Sequence, residues 1–295
     1  MTIKNLFNEK KVVFSFEIFP PKVTSSVDTI YKTLDELKGL SPDYISVTYG
    51  AGGSVKNNKT IELTSLVKNK YNIEAVAHLT CISSKKEEIR YYLEQLEKNN
   101  IKNILALRGD IPVNGQVIGE LNHANELIDF INRNGDFNIA AACYPEGHIE
   151  HKGIYREIES MKRKEEAGAS YFISQLFFDN NLYYNFQNEV RAANIKLPIE
   201  AGIMPVTNKK QIERMISLSG AALPDKFKRI MEKYEYNPEA LRDAGIAYAI
   251  EQIVDLVSTG VEGIHLYVMN NPYVANKITN GIGSIISTLN QKELV

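Results

Sequence analysis

Val12-Val13-Phe14-Ser15-Phe16-Glu17-Ile18-Phe19-Pro20-Pro21 is an apolar run that ends in a carboxylate and two prolines. Side chains of an extended chain alternate in direction, so Phe14 and Phe16 share one face and Val13, Ser15 and Glu17 the other. Pro20 and Pro21 donate no ladder hydrogen bond, and the strand must stop within a few residues of Glu17. An acid at the carboxyl end of a buried strand is an expensive placement, because ionising it there costs desolvation energy. Alone, the stretch fits an N-terminal edge strand with a solvated glutamate. The rest of the chain decides.

Downstream, strand and helix signals alternate. The spacing predicts a helix over 27–40, capped by Ser25 or Ser26, with Ile30, Leu34 and Leu37 at helical intervals and Ser41-Pro42-Asp43 as its breaker. Further strands are expected at 44–49, 74–80, 103–107, 138–144, 171–178, 198–204 and 263–269. Helices are expected up to about residue 70, then over 85–99, 123–134, 154–167, 182–193 and 273–289, with two or three more between 208 and 259. Loops rich in glycine or proline follow the second strand (Gly50-Ala51-Gly52-Gly53-Ser54) and the fourth (Pro112, Gly115, Gly119). From the numbering, Glu17 to Thr48 spans 31 residues, Thr48 to His78 and His78 to Arg108 span 30 each, Arg108 to Tyr144 spans 36 and Tyr144 to Gln175 spans 31. Each interval fits one strand–helix unit. Alternation implies parallel strands joined by crossover helices, and eight units without a linker imply a closed (β/α)8 barrel over residues 1–295, a TIM barrel in the α/β class with extra helices before strand eight.

Composition narrows the function classes. Of 295 residues, 44% are hydrophobic, enough for a large core, and 24% are charged, with a net charge of −2 and both signs dispersed. That argues against a nucleic acid or an anionic membrane as the main partner. No run approaches the ~18 apolar residues of a membrane span, and the first residues lead into no signal-peptide core. Cys81 and Cys143 are far apart and form no CxxC pattern, so a reducing cytoplasm fits better than a disulfide framework or a cysteine metal site.

The carboxyl ends of the strands carry Glu17, Thr48 with Tyr49, His78, Arg108 with Asp110, Tyr144, Gln175, and Tyr267 with Asn270; strand seven offers Glu200. A closed parallel barrel gathers these ends on the face where barrel enzymes hold their sites. Stability alone does not ask for polar groups at nearly every strand end. His148 and His151 lie three apart without a nearby third ligand, which fits loop roles better than a metal. No G-x-S-x-G serine is present, no lysine ends a strand, and the Gly50–Ser54 loop is neither G-x-G-x-x-G nor a P-loop. Arg163 and Lys164 stand where they can reach a phosphate or form a solvated helix face. An acid, hydrogen-bonding groups and aromatics without a metal suit an organic cofactor that carries the hard chemistry.

Seven motifs then resemble one family in its own order: Ser15-Phe16-Glu17-Ile18-Phe19-Pro20-Pro21, Val47-Thr48-Tyr49-Gly50-Ala51, His78-Leu79-Thr80-Cys81, Leu107-Arg108-Gly109-Asp110, Tyr144-Pro145-Glu146-Gly147-His148, Gln175-Leu176-Phe177-Phe178-Asp179 and Gly202-Ile203-Met204-Pro205. They resemble the methylenetetrahydrofolate reductases, flavin-dependent (β/α)8 barrels of one-carbon metabolism that feed methionine biosynthesis. The resemblance implies a tightly bound FAD, NADH or NADPH as co-substrate, and reduction of 5,10-methylenetetrahydrofolate to 5-methyltetrahydrofolate in a ping-pong cycle. It implies that Glu17 is the general acid that opens the folate's five-membered ring, which needs a carboxyl still protonated near neutral pH, as burial would provide. Asp110 resembles the aspartate beside the flavin's pyrimidine ring, where a negative charge favours hydride release. Gln175 looks like the amide that serves both substrates in turn. Thr48, Tyr49, Ala51, His78, Arg108, Gly109, Asp110, Ala124, Tyr144, His148, Arg163 and Lys164 fall on FAD positions. Glu17, Thr48, Asp110, Gln175 and Gln211 fall on folate positions.

The sequence departs from the family pattern at His123 (tyrosine expected), Glu157 (aspartate) and Ser160 (asparagine), all on FAD positions. Asn271 replaces an arginine expected near the folate's glutamate end. The chain ends after the eighth unit, so neither the C-terminal regulatory domain of eukaryotic relatives nor inhibition by S-adenosylmethionine is expected. A homo-oligomer is expected by resemblance. Three other readings stand beside the reductase: a pterin-binding barrel that passes a methyl group to a corrinoid protein, a reductase subunit that takes electrons from a partner protein, and a non-catalytic binding protein, which the presence of Glu17, Asp110 and Gln175 together disfavours.

Overall fold

Eight parallel strands hydrogen-bond to one another in chain order, and the last pairs with the first. The computed structural model describes residues 2–20, 27–49, 59–111, 119–150 and 153–291. The strands are β1 (Val13–Ile18), β2 (Tyr44–Val47), β3 (Glu74–Thr80), β4 (Asn103–Leu107), β5 (Asn138–Cys143), β6 (Tyr171–Ser174), β7 (Ile199–Ile203) and β8 (Gly263–Tyr267). The helices are α1 (Ile3–Glu9), α2 (Val27–Lys38), α3 (Lys59–Ser65), α4 (Lys86–Lys98), α5 (Ala124–Asn134), α6 (Ile154–Glu166), α7 (Asn180–Ala192), α8 (Lys209–Ser219), α9 (Asp225–Tyr234), α10 (Pro238–Ser258) and α11 (Pro272–Asn290). A π turn, Leu66–Lys70, extends α3. The architecture is the closed (β/α)8 barrel expected, and the long approach to β8 holds α8, α9 and α10. No helix among the described residues is long and apolar enough to cross a membrane.

Alternation sorts the core into two compartments. One parity of each strand packs outward on the helices: Phe14, Phe16, Ile18, Ile45, Val47, Ala77, Leu79, Ile104, Ile139, Phe172, Ile199, Ile264 and Leu266 share a cluster with apolar residues from α2, α4, α5, α7, α10 and α11. The other parity fills the barrel axis. At the amino-terminal end the axis is apolar, with Val13, Tyr44, Val76, Leu105, Ala140, Tyr171 and Ile173. Higher up it carries Ser15, Ser46, His78, Glu200 and His265, all buried.

Helix α1 was not foreseen. It plugs the amino-terminal mouth, where Ile3 and Leu6 join the axial cluster. The Ile3 and Lys4 amides donate to Asn103 Oδ1 (3.0 Å) and Asn138 Oδ1 (3.1 Å), adjacent residues of the β4–β5 register. A seven-residue helix has too little periodicity to announce itself; tertiary contacts hold it.

Three strands end two or more residues earlier than the apolar runs suggest. β2 stops at Val47 rather than residue 49. β6 stops at Ser174 because Leu176, Phe177 and Phe178 leave the ladder and bury themselves among helices. Their carbonyls are satisfied by α10 instead: Gln252 Nε2 donates to Phe177 O (3.0 Å) and Tyr248 OH to Phe178 O (2.7 Å). β8 stops at Tyr267 because Met269 and Asn270 adopt the left-handed conformation, with φ of 51° and 53°. The Asn270 amide exchanges two hydrogen bonds with the Phe19 backbone, so this strand-end residue clips β8 to the end of β1.

Gly202 on β7 shows how tightly the axis is filled. A Cβ built there would lie 2.3 Å from Ser174 O and 2.7 Å from the Tyr267 hydroxyl, which donates to Ser174 O at 2.8 Å. Gly202→Ala must therefore displace Tyr267 or spread β6 from β7. Its expected cost is about 1–3 kcal/mol, read as a melting temperature lowered by several degrees in a circular dichroism melt.

Candidate active site

Strands β4 and β5 and helices α5 and α6 enclose a cavity of about 460 Å³ at the carboxyl mouth of the barrel. This lies within the usual range for small-molecule sites. Its floor is apolar, with Ala106, Leu107, Ala124 and Ala142, and its walls carry Arg108, Arg156, Arg163 and Lys164 against Glu157 and Glu159. His123 stands at the N-cap position of α5 without a side-chain hydrogen bond to the helix, and the first residues of that helix open onto the cavity. Uncompensated amides at a helix start favour negative charge.

Of the residues expected to hold a cofactor, Arg108, His123, Ala124, Tyr144, His148, Glu157, Ser160, Arg163 and Lys164 all line this one cavity. Thr48, Tyr49, His78, Gly109 and Asp110 stand at the ends of β2, β3 and β4 outside its lining. The Tyr49 ring lies 5.7 Å from that of Tyr92. Gly109 has φ +87°, and a side chain there would also press on Thr80. Asp110 is exposed. Ala51, the glycine-rich loop around it, Pro112, Gly115, His151 and the capping candidates Ser25 and Ser26 lie outside the described residues.

Inside the cavity Lys164 is buried and donates to Ala142 O at 2.8 Å. Its ammonium lies 3.8 Å from Glu157 Oε1, a buried oxygen without a hydrogen bond. Burial pushes the Glu157 carboxyl up to about 7, against the attraction of Lys164. Arg108 makes a bidentate pair with Glu150 (2.6 and 2.7 Å). The His148 ring meets Tyr144 edge-on at 4.8 Å. Four cations, an orphaned buried acceptor and an apolar floor fit an elongated ligand with anionic groups and a flat apolar part, the donor set that a dinucleotide cofactor requires.

Glu17 stands near the carboxyl end of β1, on the barrel axis, and is not part of this cavity's lining. Its Oε2 is 3.5 Å from both His78 Nε2 and His265 Nε2, and its side chain is 19% exposed. The sequence suggested that burial would raise its pKa; the structure reverses the sign. Burial does push it up, but the hydrogen bond from His265 and the charges of His78 and His265 together pull it below the usual glutamate range. His78 is itself pushed down to about 4 by burial. It is neutral near pH 7 and contributes little charge there, so the depression of Glu17 rests on His265.

Gln175 closes β6: its amide N–H donates to Cys143 O (2.7 Å) and its Oε1 accepts from the Leu176 amide (2.9 Å). Gln211 and Asn271 line a separate depression with Thr207, Asn208, Pro238, Glu239 and Arg242. The Asn271 carbonyl oxygen caps α11 by accepting from the Val274 amide, so the residue standing in for the family arginine serves the helix. Arg242 brings a guanidinium to the same depression from α10, stacked 4.5 Å from the Tyr273 ring. Sequence reasoning missed Arg242, Arg156 and His265. Only His265 had a readable signal: it shares strand parity with Tyr267, two residues on.

The comparisons with known proteins converge. The family model described as methylenetetrahydrofolate reductase matches residues 2–283. The 5,10-methylenetetrahydrofolate reductases of Pectobacterium carotovorum and Escherichia coli are each 32% identical to this chain, over 92% and 91% of it and 91% and 90% of their own lengths. The Arabidopsis thaliana protein named methylenetetrahydrofolate reductase (NADH) 1 is 34% identical over 96% of this chain and 50% of its own. Among solved structures, a Clostridium thermocellum protein that binds two copies of 5-methyl-5,6,7,8-tetrahydrofolic acid aligns over 98% of this chain with a TM-score of 0.70 and 14% identity, a likeness of fold. With the family model across nearly its whole length and relatives above 30% identity, the chain belongs to the methylenetetrahydrofolate reductase family.

Proposed function

We propose that this member of the family, which reduces methylenetetrahydrofolate, is a flavoprotein. It takes electrons from a reduced nicotinamide, NADH by the name of its Arabidopsis relative, and delivers them to 5,10-methylenetetrahydrofolate in two alternating half-reactions. The observation that carries the reading is the cavity: residues far apart in sequence, each on an expected FAD position, line one apolar pocket ringed by cations. FAD, when bound, supplies the acceptance and return of a hydride.

The chain's own residues do the rest. Arg163, Lys164 and Arg156, with the start of α5, would hold the anionic part of the cofactor by charge-assisted hydrogen bonds. Lys164 is anchored to β5 through Ala142 O, so its ammonium is preorganised rather than recruited. Glu157, whose buried Oε1 lacks a hydrogen bond, would accept one from the bound cofactor. Gln175 presents its amide beside β5 and orients whichever substrate occupies the mouth. Asp110, exposed on the loop after β4, supplies the negative charge beside the ring system. Glu17 donates a proton to the folate's ring nitrogen as the five-membered ring opens, with His78 and His265 fixing its carboxyl. Arg242, with Gln211 and Asn271, receives the glutamate tail and replaces the cation that Asn271 does not provide.

The purified protein should carry the visible absorption of FAD. Anaerobic stopped-flow mixing with NADH and with NADPH should bleach it; no bleaching by either would point to a partner protein as donor. Glu17→Gln should slow folate-dependent recovery of that absorbance at least about 100-fold, while leaving nicotinamide oxidation with an artificial acceptor within about twofold. Equal loss in both half-reactions would remove its role as the folate acid. Asp110→Asn should raise the flavin's reduction potential in a dye-equilibration titration; an unmoved potential would remove the electrostatic role of Asp110.

Glu157 also makes a stability prediction. Its folded pKa of about 7 lies above the ordinary 4.5. Its favourable share of stability is therefore full below about pH 4.5 and lost as pH rises through about 7, where the folded protein must hold a buried charge. In the protein without flavin, Glu157→Gln should flatten the loss of melting temperature between about pH 4.5 and pH 7.5, a difference on the order of 3 kcal/mol across that window. Parallel curves for the two proteins would show that Glu157 does not titrate in that window.

A further inference from the structure

Below Glu17 the barrel axis holds a column of polar groups that the reaction described above does not use. Ser15, Tyr44, Glu200 and His265 are all fully buried. Ser15 Oγ lies 2.7 Å from Glu200 Oε2 and 2.7 Å from His265 Nδ1. The other nitrogen of the same ring, Nε2, lies 3.5 Å from Glu17 Oε2. Tyr44 OH donates to Glu200 Oε1 at 2.7 Å. The result is an unbroken path from Glu200 through Ser15 and His265 to Glu17, made by axis-facing positions of β1, β2, β7 and β8.

A buried carboxyl with a closed path to a catalytic acid asks for an explanation. Packing does not need one there, since a hydrophobic group of similar volume would cost less. Glu200 is pushed up to about 7 by burial, against the opposing pull of His265 and the hydrogen bonds from Ser15 and Tyr44. Glu17, at the open end, is held below the ordinary range. In the uncovered barrel the proton therefore rests on the deep carboxyl, although the shallow one must deliver it.

We propose that Glu200 stores the proton that Glu17 donates, and that Ser15 and His265 carry it between the two carboxyls. This rests on the reading of Glu17 as the folate acid. The step is balanced. The Glu200 Oε2–H bond breaks as Ser15 Oγ accepts that proton; the hydroxyl proton of Ser15 passes to His265 Nδ1; the proton on His265 Nε2 passes to Glu17 Oε2. The imidazole gives up one proton as it gains another and so changes tautomer, Glu200 becomes a carboxylate held by the Tyr44 and Ser15 hydroxyls, and no electrons move. When ligands cover Glu17 and exclude water, its proton affinity rises and the transfer runs upward. When they leave, solvent reprotonates Glu17 and the proton returns to Glu200.

The groups that share this field are identifiable. Glu200 faces Ser15 on β1, Asp43 and Tyr44 at β2, Tyr171 on β6 and His265 on β8. His265 faces Ser15, Glu17, Tyr44, Ser46, His78, Glu200 and the Tyr267 ring. Ser15, His265 and Glu200 are thus positioning residues that act through Glu17.

Infrared titration of the flavin-free protein locates the proton. In a Glu157→Gln background, which removes the other carboxyl raised to about 7, a protonated-carboxyl band titrating near pH 7 is expected to vanish in Glu200→Gln and persist in Glu17→Gln; the opposite pattern, or no band assignable to Glu200, overturns the proposal. Tyr44→Phe, which removes one donor to the carboxylate, should move that midpoint upward, and an unmoved midpoint also counts against it. In the flavin-loaded enzyme, Ser15→Ala should slow folate-driven flavin reoxidation at least tenfold with an altered pH profile, while nicotinamide-driven reduction stays within twofold. No slowing, or equal slowing of both half-reactions, overturns the relay. A folate step unaffected by Glu17→Gln would instead sink the acid assignment, and the infrared arm would still report where the proton rests.

Discussion

Closing eight parallel strands into a ring forces every second side chain onto a single axis. Nothing else in the structure has as many consequences. The outward parity must be apolar, because the helices lie on it, and it is: Phe14, Phe16, Ile45, Val47, Ile104 and their counterparts form one continuous core. The inward parity has only the width of the barrel to fill. At the amino-terminal end it is filled by aliphatic and aromatic side chains and sealed by α1. Toward the carboxyl end the same parity carries serine, histidine and glutamate, and the ring geometry brings β1, β2, β7 and β8 within hydrogen-bond reach of one another.

The two halves of the site obey different electrostatic rules as a consequence. The cavity between β4, β5, α5 and α6 is partly open and lined by cations on helices, where water and long side chains can adjust to a charged ligand. The axis beside it is closed. There a carboxyl is controlled by a few fixed dipoles, and two glutamates on β1 and β7, the strands that flank β8, are pushed in opposite directions. Glu200, flanked by hydroxyls, is driven up by burial; Glu17, flanked by imidazoles, is drawn down. Family membership accounts for the reduction of methylenetetrahydrofolate, whereas the opposed proton affinities belong to the packing of these particular side chains.

Much of this was legible beforehand because barrel strands and helices have strong periods. The alternation at 30- to 36-residue intervals fixed the number of units, and the polar strand ends pointed to the face on which the cavity opens. Legibility failed where an apolar run meant burial without a ladder. Leu176-Phe177-Phe178 reads as strand but lies beneath α10, whose Gln252 and Tyr248 replace the missing ladder bonds. It failed again at α1, whose stability comes from Asn103 and Asn138, about a hundred residues and more away. It failed at Asn270, where a strand-end amide proved to be a clip on the Phe19 backbone.

The sequence by itself determined the eightfold repeat, the polar character of the strand ends and nine of the residues that line the cavity between β4, β5, α5 and α6, since each depends on local period or on motif. Only the tertiary structure decided the ionisation of Glu17. Burial alone argued for a raised pKa. The sign is set by an imidazole 248 positions away in the chain, brought to 3.5 Å by ring closure between β1 and β8. The sign depends on which charges and dipoles face the carboxyl, and no local pattern encodes that.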